Sequence, residues 1–240
     1  MKRINKNIFA ALIVVSVACA SCFKSVFPVR GSGDLSTSER IVSPFAKISS
    51  AGCAEIRFHA SDEYRAVVTI DANLDGLVDV YAKNNILVIR PKAGYNVSPT
   101  KFLVDVYCPT LNGVSMSGSS RFTAMDMIVA SSFDASISGS GRLEGSVECE
   151  KFSAKISGSG RITVDGSAER ADIAISGSGN LNGSDLMIKN ATVNISGSGN
   201  VNIFVTDFLK ARISGSGRIS YRGEPKIDSS VSGSGRIRKM

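Results

Sequence analysis

A short motif that recurs at nearly constant spacing constrains the fold of this chain more than any other feature. The motif is Ile-Ser-Gly-Ser-Gly or a close variant, and its copies are separated by 21, 19, 19, 20, 18 and 18 residues. The copies begin at Met116 (a degraded copy), Ile137, Ile156, Ile175, Ile195, Ile213 and Val231. Such self-similarity indicates a repeat protein, in which each unit is one supersecondary element.

The residues around each motif alternate between apolar and polar. In one copy, Ile156, Ile162 and Val164 are apolar and polar residues stand between them. A period of two residues indicates a β-strand with one buried face. Glycines mark the bends, because glycine accepts the positive φ angles that turns often require. Each repeat is therefore predicted to supply two or three short strands.

Strands this short can bury their apolar face only when the repeats stack. Constant spacing places equivalent residues above one another, about 4.8 Å apart, and builds interior columns of Ile, Val and Leu. We therefore predict an all-β fold, a single-stranded parallel β-helix (solenoid) with coils of about 19 residues. About ten coils would give a rod of roughly 50 Å. Helical repeats are disfavoured, since glycine costs about 1 kcal/mol inside a helix.

The regular repeats cover only part of the chain. We assign residues 116–240 to the regular β-helix and residues 40–115 to irregular N-terminal β coils, where strand-like stretches lack the motif. The region 40–115 has two interpretations: the first coils of the same solenoid, which we prefer, or a separate small β domain. Residues 23–39 are rich in glycine and serine, which predicts a flexible tether.

The first 22 residues have the features of an export signal. A basic start precedes the apolar run 8–15, which is shorter than the about 20 residues of a membrane span. Small residues then lead to two cysteines, in a pattern that resembles a bacterial lipobox. We predict that residues 1–22 are a lipoprotein signal segment and that Cys22 is lipidated, with Cys19 as the alternative. The competing interpretation is an ordinary cleaved signal.

This signal predicts a protein of the cell envelope, held by lipid in the outer membrane on its surface or periplasmic face. Removal of Lys2, Arg3 and Lys6 lowers the formal net charge from +7 to +4. That charge, an aromatic content of 7% and the location outside the cytoplasm argue against a nucleic-acid partner.

The remaining cysteines predict neither a metal site nor a cofactor. Cys53, Cys108 and Cys149 are left if Cys22 carries lipid, and no pair has Cys-x-x-Cys spacing. Cys108 closes an apolar run and is predicted to be a buried thiol. A disulfide between two of the three is the alternative.

The order of these features resembles the GIN-domain family, described as putative autotransporter adhesin heads and common among lipoproteins of Gram-negative gut bacteria. The resemblance runs from about Phe45 to the C-terminus and rests on segments 67–74 and 84–89, the Ser-Gly-Ser-Gly repeats and the ending 231–239. It implies that the β-helix is right-handed. It carries over no catalytic motif.

Catalysis has little support in the sequence. His59 is the only histidine and lies in a strand-like segment without a partner motif. The serines lack the His-Asp pair of a hydrolase triad. The acidic residues of the repeats fall at different phases, so they do not predict a glycosidase carboxylate pair. These are Glu144, Glu148, Asp165, Glu169, Asp172 and Asp185. We predict that the protein is not an enzyme.

The residue that follows each motif is the one candidate for binding. These residues are Arg121, Arg142, Arg161, Asn180, Asn200, Arg218 and Arg236. Their equal phase predicts one stripe along the rod, with donors that suit sugar hydroxyls, carboxylates or phosphates. The competing interpretation is a solvated stripe, with asparagine chosen for turn geometry and arginine for solubility.

Two functions follow from this sequence. The first is an adhesin-like, non-catalytic binding rod for a glycan or a protein, attached to the membrane by its N-terminal lipid. The second is a structural envelope scaffold or spacer without a specific ligand. Homo-oligomers that pack side by side are compatible with both. The basic residues Arg236, Arg238 and Lys239 disfavour end-to-end stacking, because charged edge strands resist pairing.

Overall fold

The computed structural model describes residues 27–240, and this region is an all-β solenoid with about seven turns that lie roughly 19 residues apart. The predicted fold class is therefore confirmed. The predicted signal segment 1–22, with Cys19 and Cys22, lies outside the described residues. Within 27–240, no helix has the length and apolar character to cross a membrane.

Residues 27–240 contain nineteen strands and one turn of 3-10 helix (Asp75–Leu77). The strands are β1 Val29–Arg30, β2 Leu35–Ile41, β3 Lys47–Gly52, β4 Glu55–Ala60, β5 Arg65–Asp71, β6 Val78–Lys83, β7 Ile86–Pro91, β8 Val97–Ser98, β9 Phe102–Cys108, β10 Gly113–Gly118, β11 Arg121–Ala124, β12 Ile128–Gly139, β13 Arg142–Gly158, β14 Arg161–Gly177, β15 Asn180–Gly197, β16 Asn200–Gly215, β17 Arg218–Arg222, β18 Lys226–Ser232 and β19 Arg236–Lys239.

The repeated motifs stack in register on parallel strands. Ile137 pairs with Ile156, and this column continues coil by coil to Val231. Coils of different length keep the register because the extra residues fall in irregularities elsewhere, for example between Gly183 and Met187. The motif therefore sets the stacking, and variation in coil length is confined to other corners.

Each complete coil has three faces, separated by corners where the inward–outward alternation of side chains resets. In the coil 151–169, face I is the segment 152–157 that leads into the motif. Face II is the segment 161–165 that follows the motif, and face III is the segment 167–169. Equivalent segments of the other coils carry the same names below.

Inward side chains form continuous apolar columns, as the alternation predicts. The column of Ile156 is buried through all its complete coils, and so is the column of Ile162 on face II. Phe133 and Phe152 stack with ring centroids 6.4 Å apart. Burial of each such side chain contributes about 1.5–3 kcal/mol, so most of the stability comes from neighbouring coils.

Two glycines per motif allow the coils to approach closely at the corner between faces I and II. Gly158 has φ 115°, and a Cβ there would lie 2.8 Å from the carbonyl oxygen of Gly139 in the previous coil. A Cβ on Gly160 would lie 2.6 Å from Cγ2 of Ile137. The first glycine is needed for backbone geometry and the second for core packing.

This corner keeps its backbone hydrogen bonds. Ser159 N–H donates to the carbonyl of Gly139 at 2.9 Å, and Arg161 N–H donates to that of Gly141 at 3.0 Å. The same pair of bonds recurs between most successive coils. A turn with satisfied backbone groups avoids the cost of leaving buried polar atoms unpaired.

The N-terminal end of the solenoid is closed by an antiparallel cap. β3 and β4 form the first coil, and each lies between a cap strand and the next coil: β3 between β7 and β10, β4 between β9 and β11. In the cap, β5 pairs antiparallel with β2 and β9, and β6 with β7. Cap and solenoid share one hydrophobic core.

Two expectations, the flexible tether and the number of coils, were wrong. The described part of the predicted tether 23–39 is structured, because β1 pairs with β8 and β2 pairs with β5. The solenoid has about seven turns instead of the predicted ten. The preferred interpretation of residues 40–115 as irregular coils of the same solenoid agrees in part with the structure. Residues 47–60 form one coil, β7 and β9 stack parallel on it within one core, and β5 and β6 add antiparallel pairing. Face II and the cap form one sheet of eleven strands, spanning roughly 50 Å.

A buried carboxylate fastens the N-terminal segment to the cap. Asp71 is fully buried and accepts hydrogen bonds from Gly33 N–H (2.8 Å), Thr100 N–H (2.8 Å) and the Thr100 hydroxyl (2.7 Å). The Thr100 hydroxyl and the backbone donors lower the pKa of Asp71 from 3.8 to about 2, against the opposing effect of burial. The charged form is therefore the one that the fold requires.

Substitution Gly160→Ala is expected to destabilise the solenoid by about 1–3 kcal/mol, because the new methyl group overpacks Ile137. Chemical denaturation followed by circular dichroism measures this change. Gly76→Ala is the matched control, since no atom lies within 4 Å of its Cβ position and its φ is not positive. Equal denaturation midpoints for Gly160→Ala and the unaltered protein would show that the corner has room for a side chain.

Substitution Asp71→Asn is expected to destabilise the fold at neutral pH, because an amide replaces one acceptor oxygen with a donor that faces other donors. The lowered pKa means that the charged Asp71 stabilises the fold above about pH 4, and that this contribution disappears as pH falls toward 2. The stability difference between the two proteins should therefore shrink over that window in denaturation curves. Asp62→Asn, at an exposed position, is the control. A pH-independent difference would contradict the assignment.

Candidate functional site

The seven predicted stripe residues form one unbroken column on face II. Arg121 pairs with Arg142, and the column continues in register through Arg161, Asn180, Asn200 and Arg218 to Arg236. The five arginines are exposed and the two asparagines are half-buried. Successive members are separated by one strand spacing of about 4.8 Å. The structure thus brings together every residue that the sequence assigned to the stripe.

The two asparagines at the centre of the column are hydrogen-bonded to each other. Asn200 Nδ2 donates to Asn180 Oδ1 at 2.9 Å. This bond leaves the Asn180 amide donor and the Asn200 amide acceptor for other partners. Arg161 and Arg218 flank this pair, so the centre of the column offers neutral amides and each side offers a guanidinium group.

A second outward column runs beside the first, two residues further along each strand. Its members are Thr123, Glu144, Thr163, Asn182, Asn202, Ser220 and Arg238. Of these, Ser220 is buried, and its hydroxyl accepts a hydrogen bond from Arg238 Nε at 3.4 Å. Asn182 and Asn202 stand next to Asn180 and Asn200, so the middle of face II is a patch of four asparagines. Amides supply both donors and acceptors, which suits recognition of hydroxyl groups.

The arginine stripe stops where the solenoid meets the cap. Glu55 occupies the next position of the column beyond Arg121, and it forms an ion pair with Arg57 at 2.8 Å. Beyond it the column continues with Leu103, Thr69 and Thr37 on cap strands. Face II is therefore cationic and amide-rich only along the repeats.

A shallow groove that the sequence reasoning missed lies on face I, across the motif corner from the stripe. Its volume is about 630 Å³. One side is the column of first motif serines: Ser138, Ser157, Ser176, Ser196 and Ser214. The other side is the column of Ser136, Lys155, Ala174, Asn194, Arg212 and Ser230. In the sequence, the motif glycines mark a bend and the period of two places the first serine outward, but neither signal indicates a groove.

The single histidine lies on β4 in the first coil, and neighbours on cap strand β9 hold it in place. His59 Nε2 lies 3.1 Å from Asp105 Oδ1, and its ring stacks on Tyr107 with centroids 4.8 Å apart. The Arg65 guanidinium lies 4.0 Å from the centre of the same Tyr107 ring. No serine or cysteine is hydrogen-bonded to His59 within residues 27–240.

The acidic residues of the repeats are mostly dispersed or paired. Glu169 accepts a hydrogen bond from Lys189 at 2.6 Å, and Asp165 and Asp185 lie in register on neighbouring strands. Arg222 lies 3.6 Å from Asp185. Across residues 27–240, no group of three His, Cys, Asp or Glu side chains has the arrangement of a metal site.

The three cysteines of the described region are free thiols. Cys108 and Cys149 are buried, as predicted for Cys108, and Cys53 is exposed. Burial raises the pKa of Cys108 to about 12 and that of Cys149 to about 11. A thiol with so high a pKa is a poor nucleophile at neutral pH.

Comparisons with known proteins agree with this architecture. A sequence profile described as "Putative auto-transporter adhesin, head GIN domain" matches residues 44–225. Among solved structures, the chain is similar to a putative lipid binding protein from Parabacteroides distasonis ATCC 8503, with 27% identity, a TM-score of 0.74 and coverage of 89% of this chain and 99% of that one. It is also similar to a putative adhesin from Parabacteroides merdae ATCC 43184, with 26% identity, a TM-score of 0.71 and coverage of 88% and 98%.

A putative adhesin from Bacteroides fragilis NCTC 9343 has the same fold. Its identity is 24%, its TM-score is 0.84, and the match covers 88% of this chain and 100% of that one. The search of curated proteins gave no significant match.

Proposed function

The chain belongs to the family described as putative auto-transporter adhesin, head GIN domain, and on that premise we propose that it is an adhesin-like, non-catalytic binding rod of the cell envelope. Its ligand would be a polysaccharide bound along face II. A protein ligand on the same face is the alternative within this function. The observation that carries the proposal is the unbroken column of arginine and asparagine side chains beside a second polar column.

The spacing of the column suits a polymer more than a single small molecule. Donors recur every 4.8 Å or so, which is close to the rise of one sugar residue in an extended polysaccharide. The central patch of Asn180, Asn182, Asn200 and Asn202 would bind hydroxyl groups, and the flanking arginines would bind carboxylate, sulfate or phosphate substituents. Each contact is weak on an exposed surface, so affinity would come from many simultaneous contacts.

Nothing about the face resembles a catalytic cleft, and this also supports a binding role. Face II is a broad sheet surface, and its asparagines are already preorganised by the Asn200–Asn180 hydrogen bond. A preformed surface loses little conformational entropy when a ligand binds.

We also propose that the protein is a lipoprotein, attached to the outer membrane through Cys22, with Cys19 as the alternative. Support comes from the residues around Cys22 and from the family relation, which suggests a protein of the cell envelope. The described chain begins at the capped end of the rod, where β1 lies. Attachment there would leave face II exposed along its whole length.

The binding proposal is tested with the triple variant Arg142→Ser, Arg161→Ser, Arg218→Ser against a panel of glycans and envelope polymers. We expect saturable binding of the unaltered protein at physiological salt and a loss of at least about ten-fold in the variant, because hydrogen bonds to charged groups contribute about 1.5–3 kcal/mol each. Calorimetry or biolayer interferometry provides the affinity.

Two further variants separate specific contacts from net charge. Lys151→Ser, Arg170→Ser, Lys189→Ser removes the same charge from face III and its corner with face I, and should leave affinity within about two-fold, as expected for distant exposed charges. Asn180→Ala with Asn200→Ala removes amides without changing charge and should weaken binding. If the face II variant and the face III variant lose affinity equally, binding is a nonspecific attraction between charges. No binding to any polymer by a folded protein would favour the structural scaffold.

The anchoring proposal is tested by metabolic labelling with a fatty-acid analogue in the native host. Cys22→Ser is expected to abolish label incorporation, and Cys19→Ser to leave it intact. If only Cys19→Ser loses the label, then Cys19 is the lipidated residue. An unlabelled parent protein would favour an ordinary cleaved signal.

A further inference from the structure

Positive charge is concentrated at the C-terminal end of the rod. Residues 201–240 contain eight Lys and Arg against three Asp and Glu, a net charge of +5. Residues 27–200 contain sixteen basic and eighteen acidic residues, a net charge of −2. The rod is thus electrostatically polarised, with the basic end farthest from the cap.

Ion pairs neutralise only part of this basic end. Arg212 pairs with Asp228 at 2.7 Å, Arg222 lies 3.6 Å from Asp185, and Lys239 pairs with Glu224. Five other cations have no carboxylate within 4 Å among residues 27–240. They are Lys210, Arg218, Lys226, Arg236 and Arg238.

Apolar side chains are exposed beside these cations in the last coil. Ile227 and Val231 are 42% and 41% exposed, whereas Leu209 and Ile213, their partners in the preceding coil, are buried. Ile237, on the same coil, is half-buried. The last coil, residues 226–239, therefore combines partly exposed aliphatic side chains with basic side chains that have no carboxylate partner.

We propose that this last coil, residues 226–239, docks on the surface of a lipid bilayer that contains anionic headgroups. Ile227 and Val231 would enter the boundary between headgroups and acyl chains. Lys226 and Arg238 would extend to the lipid phosphates, since long basic side chains keep their charged ends in the polar layer.

Other partners fit this surface less well. A soluble polyanion would match the basic groups but leave Ile227 and Val231 in water. A second copy of the chain would bring the same free cations together at short distance, which opposes association. An anionic bilayer satisfies both the charge and the apolar groups. This inference does not rest on polysaccharide binding by face II, and its test leaves the seven stripe residues unchanged. Arg238, which the test does change, lies at the C-terminal end of the second column of that face.

The absence of tryptophan in the chain allows a direct measurement. In the full-length Ile227→Trp variant, the introduced residue is the only tryptophan and reports on the last coil alone. With vesicles of phosphatidylcholine and phosphatidylglycerol we expect a blue shift of its emission and quenching by brominated lipid. Vesicles of phosphatidylcholine alone should give neither. Ile41→Trp, at an exposed cap position, is the control for binding through the rest of the chain.

A charge variant completes the test. Lys226→Glu with Arg238→Glu, made in the Ile227→Trp background, should weaken partitioning onto the anionic vesicles by roughly ten-fold or more. Lys83→Glu with Lys92→Glu makes the same change of charge in the cap and should have little effect. Dextran sulfate serves as the soluble polyanion. The inference is wrong if dextran sulfate binds while vesicles cause no blue shift, if the cap control shifts equally, or if the protein dimerises through this coil instead.

Discussion

The close approach of glycine on glycine at one corner of every coil is the constraint on which the rest of the structure depends. At this corner, the carbonyl oxygen of one coil closely approaches the position that a Cβ atom would take in the next coil, as Gly139 O does 2.8 Å from that position on Gly158. The two backbone hydrogen bonds of the corner fix the vertical spacing, and the second glycine makes room for the isoleucine below it. Because the corner is rigid and repeats in register, every column of side chains on faces I and II follows from it. The polar stripe and the serine groove therefore lie on the two faces that meet at this corner.

The repetitive half of the fold could be predicted from sequence because each coil is specified by a short local pattern, and this pattern recurs in every repeat. Period-two alternation placed Ile156 and Ile162 inside, and equal phase placed Arg142 and Arg161 on neighbouring strands, as the structure confirms. The cap could not be predicted in this way. Its strands pair between distant segments such as β2 with β5, and such antiparallel pairing leaves no periodic signal. Asp71 was missed for a related reason, because its partners Gly33 and Thr100 are far away in sequence and become neighbours only in the fold.

The same reasoning explains why the alignment of the stripe could be predicted from sequence and the groove could not. The stripe consists of charged and amide residues at the same position of each repeat, and this pattern is visible in the sequence. The hydrogen bond between Asn200 and Asn180 follows once the two strands are paired in register. The groove on face I is lined by the first serine of each motif, an uncharged side chain that nothing in the sequence marks as part of a surface feature. The concentration of charge toward residues 201–240 is visible in sequence, yet its meaning depends on where that segment lies in the solenoid. Three surfaces with different chemistry thus share one rod: a polar face, a small-residue groove and a basic end.

The position of Asp71 gives the cap a mechanical role. Any tension applied to the chain upstream of residue 27 enters the fold through β1 and the segment that Gly33 closes. There the short β1–β8 pairing would peel apart easily, since a two-residue ladder resists with few hydrogen bonds. The buried carboxylate holds Gly33 and Thr100 together just behind that ladder, so the load passes to β5 and into the eleven-stranded sheet. A single ionised side chain would then act as the fastening point through which force on a tethered rod is shared among its strands.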